Sequence, residues 1–256
     1  MNQFEIFFGL HHSKEPLLLA NAWDVSSAKL SEANGFSAIA TSSAAIADTM
    51  GYMDGEQIPF DLLLDTAKRI RKHTSLPLTV DIEKGYSREL EGITENIKRL
   101  YDIGVAGINI EDELAKDKKE LVPLEEFEKK LSGICNLLSQ KNMHVFINVR
   151  TDAFLRGLED PLTETIQRAK RYENTGVHGI FVPFVKEESD IKAIVNATKL
   201  PLNVLAMGGL PGITKLSSLG VKRISMGSSL YRAMIKDTIN KIQRVQREES
   251  FDCLFE

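Results

Sequence analysis

The stretch Leu78-Thr-Val-Asp-Ile-Glu-Lys-Gly-Tyr86 combines an apolar, β-branched run with two acids and a glycine. Such a run predicts a strand, and Gly85 predicts that the chain turns into a loop directly after it. Residues two apart in a strand face the same side, so Asp81 and Glu83 should converge on one spot. Neighbouring carboxylates repel each other, and such pairs are usually held by a cation or share a proton. The stretch therefore predicts a strand that ends in a charged site.

The same design recurs twice further along the chain. Gly107-Ile-Asn-Ile-Glu-Asp112 is an apolar run with acids at its end, and His144-Val-Phe-Ile-Asn-Val-Arg-Thr-Asp152 ends in Arg150 and Asp152. Three consecutive strand ends that carry charge indicate a site built where the strands stop.

Eight apolar runs at fairly even intervals predict strands at residues 17–23, 37–41, 76–82, 107–110, 145–149, 179–182, 202–206 and 223–226. Most are continuously apolar, which is typical of parallel strands covered on both faces. Helical patterns lie between or after them at residues 26–33, 60–72, 94–103, 124–141, 163–174, 188–197, 213–219 and 229–248. Eight βα units predict an α/β protein with one (β/α)₈ TIM barrel domain over residues 1–256. Residues before Leu17 should form an extra N-terminal helix or arm.

A doubly wound open sheet is the alternative fold, but no GxGxxG or GxxxxGK loop follows the first strand. The composition is that of an ordinary globular protein, with 256 residues, of which 43% are hydrophobic and 27% are charged. A net charge of −4 without basic runs argues against a nucleic-acid partner. No apolar run approaches membrane-spanning length, and the N-terminus lacks the pattern of a signal peptide. With only two distant cysteines, we expect a cytoplasmic protein without structural zinc.

In a barrel, catalytic groups lie at the C-terminal ends of the strands, where Asp81, Glu83 and Glu111 fall. These hard oxygen ligands suit Mg²⁺, although acids at strand ends can equally cap the following helices or pair with lysines. Arg150 favours the metal site, because a guanidinium beside clustered carboxylates suits an anionic substrate bridged to a metal.

Two further segments supply candidate ligand-binding groups. Thr41, Ser42 and Ser43 end the second strand and offer small donors for a carboxylate or phosphate, or they form a simple turn. Asp54 follows in a loop, Gly51-Tyr-Met-Asp-Gly55, where it either reaches the barrel mouth as an acid or base or is merely solvated.

At these positions the chain resembles the isocitrate lyase/phosphoenolpyruvate mutase superfamily. The matching pieces run in family order: Asn21-Ala-Trp-Asp24, Thr41-Ser-Ser43, Gly51-Tyr-Met-Asp54, Asp81-Ile-Glu-Lys-Gly-Tyr86, Ile110-Glu-Asp112, Arg150-Thr-Asp-Ala153 and Gly220-Val-Lys-Arg-Ile-Ser225. The resemblance implies Mg²⁺, or Mn²⁺ in its place, held by Asp81, Glu83 and Glu111 largely through water. It implies a 2-oxo acid or enolate that chelates the ion and is gripped by Arg150 and the Thr41–Ser43 segment. It also implies homodimers or homotetramers that often exchange the eighth helix of the barrel between subunits.

The chain departs from the family lyases after the fourth strand. Those lyases carry a Lys-Lys/Arg-Cys-Gly-His loop whose Cys acts as an acid or base, whereas residues 112–122 here contain no Cys, Gly or His. The gating loop of the mutase and of phosphonopyruvate hydrolase, with its Asn-Ser segment, is missing too. After the sixth strand this chain has Pro183, where the lyases place a Glu and the mutase a His. Cleavage of isocitrate or methylisocitrate is therefore not expected.

These observations predict a Mg²⁺-dependent lyase or decarboxylase that stabilises the enolate of a small 2-oxo carboxylate, with Asp54 and Arg150 as catalytic residues. Thr41, Ser42, Ser43, Asp81 and Arg150 would bind the substrate. Mutase-like or hydrolase-like P–C bond chemistry on a phosphonate is one alternative, and a non-catalytic barrel that binds ligand is another. The final helix and tail, rich in apolar residues, are expected at a subunit interface.

Overall fold

The computed structural model describes residues 2–114 and 120–256. Eight parallel strands close into a barrel in the order β1 to β8, with β8 paired to β1. The strands are β1 (Leu17–Ala22), β2 (Ile39–Thr41), β3 (Leu78–Asp81), β4 (Gly107–Glu111), β5 (Phe146–Arg150), β6 (Gly179–Val182), β7 (Leu202–Leu205) and β8 (Arg223–Ser225). This architecture confirms the predicted (β/α)₈ barrel and excludes the open sheet.

Helices surround the barrel and bury its outer face. They are α1 (Gln3–His11), α2 (Val25–Ala33), α3 (Ser43–Thr49), α4 (Phe60–His73), α5 (Leu90–Asp102), α6 (Leu124–Gln140), α7 (Ala153–Arg156), α8 (Pro161–Tyr172), α9 (Glu188–Ala197), α10 (Ile213–Leu219) and α11 (Ser229–Glu248). A short 3₁₀ helix, Asp252–Leu254, follows α11. Leu63, Ala67 and Ile70 on one face of α4 are fully buried, as the 3.6-residue period of that helix requires.

The N-terminal helix α1 closes the bottom of the barrel. Asn2 and Glu5 form a reciprocal capping box that starts the helix. Phe7 and His11 are buried, and the His11 ring stacks on Phe146 of β5 with ring centroids 4.0 Å apart. The extra N-terminal helix expected from the sequence is therefore present, and it seals the end of the barrel opposite the strand ends that carry the acids.

Helix α3 is the main departure from the predicted elements. The Ser42 hydroxyl accepts a hydrogen bond from the Ala45 backbone N–H at 3.3 Å, so the segment proposed as a simple turn is the N-terminus of a helix. The two small elements α7 and Asp252–Leu254 were not predicted either, because segments of three or four residues are too short to show a hydrophobic period.

Helix α11 packs least against the barrel. Of its 20 residues only Tyr231 is buried, and an apolar row along it is exposed to solvent. Within the described ranges, no helix is both long and apolar enough to cross a membrane.

Candidate active site

The three predicted acidic ligands lie at the ends of β3 and β4, on one side of the barrel mouth. Asp81 ends β3 and Glu111 ends β4, while Glu83 follows β3 with a left-handed backbone (φ 50°) that non-glycine residues rarely adopt. Backbone strain of this kind concentrates at functional sites. Glu83 and Glu111 are both buried, and the Glu111 N–H donates to the Glu83 carbonyl oxygen at 2.9 Å. The acids thus form one group rather than separate helix caps.

Arg150 ends β5 and stands directly beside Glu111 in the strand register. Its Nε and Nη2 donate to the two carboxylate oxygens of Asp152 at 2.6 and 2.9 Å, and its Nη1 lies 3.0 Å from Glu111 Oε2. The guanidinium also lies over the Phe181 ring, 5.9 Å from its centroid. Such a two-pronged contact fixes the plane of the guanidinium at the barrel mouth.

Two adjoining cavities open at this end of the barrel. The smaller, about 250 Å³, is lined by Glu83, Glu111 and Arg150 among others, and the larger, about 390 Å³, by Asp81 and Asn109 among others. Every site residue predicted from the sequence lines one or both of them: Thr41, Ser42, Ser43, Asp54, Asp81, Glu83, Glu111 and Arg150. The structure therefore brings the whole predicted set together.

The hydroxyl residues at the end of β2 and the start of α3 hold Asp81 in place. The Ser43 hydroxyl donates to Asp81 Oδ2 at 3.0 Å, and the Thr41 hydroxyl oxygen accepts from the Asp81 backbone N–H at 3.0 Å. These contacts hold the carboxylate at the strand end, so part of the donor capacity expected for a substrate is used within the protein.

The loop that carries Asp54 is fastened to the acidic group. The Glu56 N–H donates to Glu83 Oε2 at 2.8 Å, and the Tyr86 N–H donates to Glu56 Oε1 at 2.6 Å. The Tyr86 hydroxyl completes the arrangement by donating to Glu83 Oε1 at 3.1 Å. Asp54, exposed at the rim where the two cavities meet, is thereby held beside the acids rather than on a detached loop.

Burial and mutual repulsion make the acidic site hard to charge fully. Burial raises the pKa of Glu83 to about 7, helped by the charge of Asp81. Burial also raises the pKa of Glu111 to about 8. The positive charge of Arg150 acts to lower this pKa, but the negative charges of Asp152, Asp81 and Glu83 partly offset that effect. The pKa of Asp81 is raised for the same first reason. Burial acts to lower the pKa of Arg150, but Glu111 and Asp152 together raise it above its usual value, so it stays charged.

This electrostatic pattern fits a bound divalent cation. Asp81, Glu83 and Glu111 share the positive charge of Arg150 with a fourth carboxylate, Asp152. Although Glu111 Oε2 lies close to Arg150, it accepts no hydrogen bond of good geometry from any described residue. In the part of the chain that the structure describes, no three His, Cys, Asp or Glu side chains are arranged to hold a metal directly. A cation here would accordingly keep water among its ligands, as Mg²⁺ commonly does.

A buried network behind the site was not identified from the sequence. Asp112 accepts from the Arg168 guanidinium and the Tyr172 hydroxyl, each at 3.1 Å, and from the Asp152 N–H at 3.1 Å. It therefore supports the residue that orients Arg150. Asp112 and Asp152 belong to the sequence motifs quoted above. Arg168 lies in the middle of α8, where no sequence pattern distinguishes a buried arginine from an exposed one.

The interval after β4 is held at both ends. Glu113 and Leu121 form an isolated antiparallel bridge, and the Val122 N–H donates to the Asp112 carbonyl oxygen at 2.9 Å. Glu113 also pairs with Arg156 and, at 3.5 Å, with Lys84. Residues 115–119, in the middle of the interval that lacks the lyase motif, lie outside the described residues.

Comparison with known proteins gives a consistent picture. The family model described as phosphoenolpyruvate phosphomutase matches residues 7–246. An uncharacterised protein of Mycobacterium tuberculosis is 36% identical over 89% of this chain and 83% of its own length. Oxaloacetate decarboxylase of Pseudomonas putida is 27% identical over 90% of this chain and 81% of the relative. The crystal structure of a candidate phosphonomutase from Burkholderia cenocepacia superposes with a TM-score of 0.89 at 34% identity, covering 94% of this chain and 99% of the other.

Proposed function

Because the chain belongs to the phosphoenolpyruvate phosphomutase family, within the isocitrate lyase/phosphoenolpyruvate mutase superfamily that its motifs resemble, we propose that it is a Mg²⁺-dependent lyase of a small 2-oxo carboxylate. The proposed reaction breaks a bond to C3 and passes through an enolate, as in the decarboxylation of oxaloacetate. The observation that carries the proposal is the convergence of Asp81, Glu83 and Glu111 beside Arg150 at the barrel mouth. The name of the Pseudomonas putida relative supports the same substrate class.

In this proposal Asp81, Glu83 and Glu111 would hold Mg²⁺, largely through water, and the ion would supply Lewis-acid stabilisation of the oxyanion that develops on the substrate. Arg150, whose side chain lines both cavities, would bind the substrate carboxylate. Ser42 and Ser43, at the N-terminus of α3, line the cavity where the other end of the anion would lie.

For oxaloacetate, the C3–C4 bond breaks, carbon dioxide leaves, and the electron pair passes to the enolate of pyruvate. Protonation at C3 then gives pyruvate. Asp54 is the proposed proton donor, because its loop is fastened to Glu83 and its side chain lines both cavities. We further propose that the chain works in the cytoplasm as a homodimer or homotetramer.

A second candidate is P–C bond chemistry on a phosphonate such as phosphonopyruvate. It is favoured by the description of the matching family model and by the 34% identical candidate phosphonomutase. The same anion-binding groups would serve a phosphonate in place of the C4 carboxylate.

Turnover assays separate these functions. Oxaloacetate should give pyruvate and carbon dioxide in the presence of Mg²⁺, and chelation with EDTA should abolish the reaction. Because Mg²⁺ alone promotes decarboxylation of oxaloacetate in solution, the Asp81→Asn variant and a protein-free sample with Mg²⁺ serve as controls.

Phosphonopyruvate is tested in parallel. Release of inorganic phosphate would indicate a hydrolase, and formation of phosphoenolpyruvate would indicate a mutase; either without oxaloacetate turnover would replace the proposed function. Binding of oxalate, an enolate mimic, without turnover of either substrate would indicate a non-catalytic barrel.

A further inference from the structure

An amide side chain on the floor of the larger cavity has no role in the mechanism proposed above. Asn109 lies on β4, two residues before Glu111, and is paired in register with Asp81 on β3 and Asn148 on β5. It lines the cavity and is 7% exposed, whereas Asn148 behind it is 1% exposed. Asn109 is thus next to the carboxylate on which the proposed site is centred.

The orientation of this amide follows from the chemistry of its neighbours. Asn109 Oδ1 accepts from Asn148 Nδ2 at 3.0 Å and from Arg223 Nη2 at 3.2 Å. A guanidinium can only donate, so the Asn109 atom that contacts Arg223 must be the oxygen. The amide nitrogen consequently faces away from this pair, and no acceptor within residues 2–114 and 120–256 takes its hydrogens. Asn109 presents N–H donors to the cavity.

Arg223 is an unusual residue to find behind this amide. It is fully buried inside the barrel, with its guanidinium 5.9 Å from the centroid of the Phe7 ring. Within the described part of the chain, Arg223 has no ion-pair partner, and its Nε and Nη1 have no hydrogen-bond acceptor. Its Nη2 donates to Asn109. Burial lowers the pKa of Arg223 to about 9, against the opposing charge of Asp81.

A buried cation without a carboxylate partner costs folding free energy, which packing alone does not explain. Its contact with Asn109 gives it a function, because that contact determines which end of the amide meets the cavity. Asn148 alone would not do so, since an amide can pair with another amide in either orientation.

We propose that Asn109 is a ligand-binding residue of this site and that Arg223 is its positioning residue. Asn109 Nδ2 donates a hydrogen bond to a carboxylate or enolate oxygen of the bound 2-oxo acid. The assignment rests on the proposed function for the class of ligand, but it does not depend on which bond of the substrate is broken.

The test of Asn109 uses oxalate with Mg²⁺ as the probe and isothermal titration calorimetry as the readout. Asn109→Leu should raise the Kd of oxalate about 10- to 100-fold, which is the usual effect of removing one hydrogen bond to a charged ligand. Thr79→Val is the matched control, because Thr79 is a buried residue of β3 whose hydroxyl makes no hydrogen bond within the described residues. The control should bind oxalate within about twofold of the parent chain.

The positioning role of Arg223 is tested by a double-mutant cycle. Arg223→Met should weaken oxalate binding, Arg223→Lys should restore part of it, and Asn109→Leu combined with Arg223→Met should bind no more weakly than Asn109→Leu alone. Effects that multiply in the double variant would show that Arg223 acts independently of Asn109. Unchanged binding by Asn109→Leu would overturn the whole assignment.

A crystal structure of the parent chain with oxalate and Mg²⁺ decides the matter if an Arg223 variant does not fold. Asn109 Nδ2 within hydrogen-bond distance of an oxalate oxygen supports the assignment, and a longer separation overturns it. Failure of the proposed function is seen separately, as oxalate binding without turnover of oxaloacetate or phosphonopyruvate. If the parent chain binds no oxalate, the ligand class is wrong and this assignment falls with it.

Discussion

Arg150 is held by two carboxylates in a geometry that only a planar guanidinium provides. Asp152 takes Nε and Nη2, while Nη1 lies 3.0 Å from Glu111. Lysine would keep the positive charge but would lose the two parallel hydrogen bonds that fix its direction. The residue is therefore a sensitive probe of whether orientation, and not charge alone, matters at this site.

We predict that Arg150→Lys lowers kcat/KM at least about 10- to 100-fold, the cost of one or more charge-assisted hydrogen bonds in the transition state. The loss should be measured by initial rates on the substrate that the turnover assays identify. Arg69→Lys is the control, since Arg69 makes only an exposed i,i+4 pair with Asp65. An Arg150→Lys variant with the kcat/KM of the parent would remove Arg150 from the mechanism.

The raised pKa values at the acidic site lead to a second prediction, about metal and pH. Glu83 and Glu111 have pKa values of about 7 and about 8 in the folded chain, against an ordinary value of 4.5. Between the ordinary and the raised values, the native state binds more protons than the unfolded state, so stability falls as the pH rises. Without metal, the chain should lose stability up to about pH 8, and Mg²⁺ should restore it most where the acids are ionised.

The measurement is Tm with and without Mg²⁺ across this pH window. The Mg²⁺-induced rise should be larger near pH 8 than near pH 6, at about 2–4 °C per kcal/mol for a chain of this size. Glu111→Gln should raise the Tm of the metal-free protein at the alkaline end and remove most of the Mg²⁺ response. The exposed Glu159→Gln should do neither, and an equal Mg²⁺ response in both variants would argue against a metal at Glu111.

Among the elements, α1 illustrates how a helix outside the βα repeat completes the barrel. His11 Nδ1 lies 2.8 Å from the Phe7 carbonyl oxygen, and because that oxygen can only accept, Nδ1 carries the hydrogen and donates it. Burial, followed by the charge of Arg223, lowers the pKa of His11 to about 3, and burial lowers the pKa of His178 to about 4. Both histidines are consequently neutral in the folded protein over the physiological range.

A depressed histidine pKa makes the fold sensitive to acid. Below the ordinary value of 6.5 the unfolded chain protonates its histidines while the native His11 stays neutral, so the histidine contribution to stability falls as the pH drops from about 6.5 toward 3, opposite in sign to the contribution of Glu83 and Glu111. Each buried histidine can contribute up to about 1.4 kcal/mol per pH unit in this window. The free energy of unfolding in urea should be measured at several pH values for the parent and for His11→Phe, and below pH 6.5 its slope against pH should differ between the two by up to one proton. The exposed His12, which follows α1 directly, provides the control variant His12→Asn; an unchanged slope in His11→Phe would contradict the prediction.

Much at the element scale was predictable from the sequence, for identifiable physical reasons. The strands are continuously apolar and are separated by helical periods, so each of the eight strand positions was identified, although the predicted run 76–82 extends past both ends of the observed Leu78–Asp81. The acids and Arg150 were found because charge directly after an apolar strand is visible in the sequence. Helix α3 was missed because Ser42 caps a helix of seven residues that starts directly after a strand.

What the sequence did not reveal depends on contacts between distant segments. Arg168 reaches Asp112 across 56 positions of the chain, and Arg223 reaches Asn109 across 114. The strand period places Arg223 on the inner face, but only the closed barrel shows that its neighbours there include no carboxylate within ion-pair distance among the described residues. Pairing of this kind depends on side-chain packing that no local pattern encodes.

For the whole molecule, the exposed face of α11 is the feature that one barrel does not explain. Leu230, Met234, Ile235, Ile239 and Ile242 are all exposed, and the tail continues this row with Phe251, Leu254 and Phe255, the last 87% exposed. The tail folds back on α11 rather than on the barrel, since Cys253 Sγ lies 3.7 Å from the Lys241 carbonyl oxygen and Arg244 pairs with Glu256. A cavity of about 540 Å³ lies beside α11, lined by Tyr52, Met53 and Ile239 among others.

We predict that this face is buried against a second copy of the chain. Burying apolar surface contributes roughly 25 cal/mol per Å². A stable interface typically covers about 800 Å² on each partner, and the eight large exposed side chains of this row can provide the apolar centre of such an interface. A twofold interface would place the same row on both subunits, which gives a homodimer or a dimer of dimers. Light scattering coupled to size exclusion should therefore report a dimer or tetramer for the intact chain, and truncation after Lys241 should give monomers or insoluble protein.

Single charge substitutions on α11 test whether the helix forms the subunit interface or is needed only for folding of the chain. Ile239→Asp places a carboxylate in the apolar row and should shift the intact chain toward monomer, because burying an unpaired charge costs several kcal/mol. Asn240→Asp puts the same charge one residue further on, at an exposed polar position, and should leave the assembly as it is. Circular dichroism must show both variants folded, so that a change in mass reports association alone. A monomeric intact chain at micromolar concentration, or equal behaviour of the two variants, would mean that α11 does not form the interface.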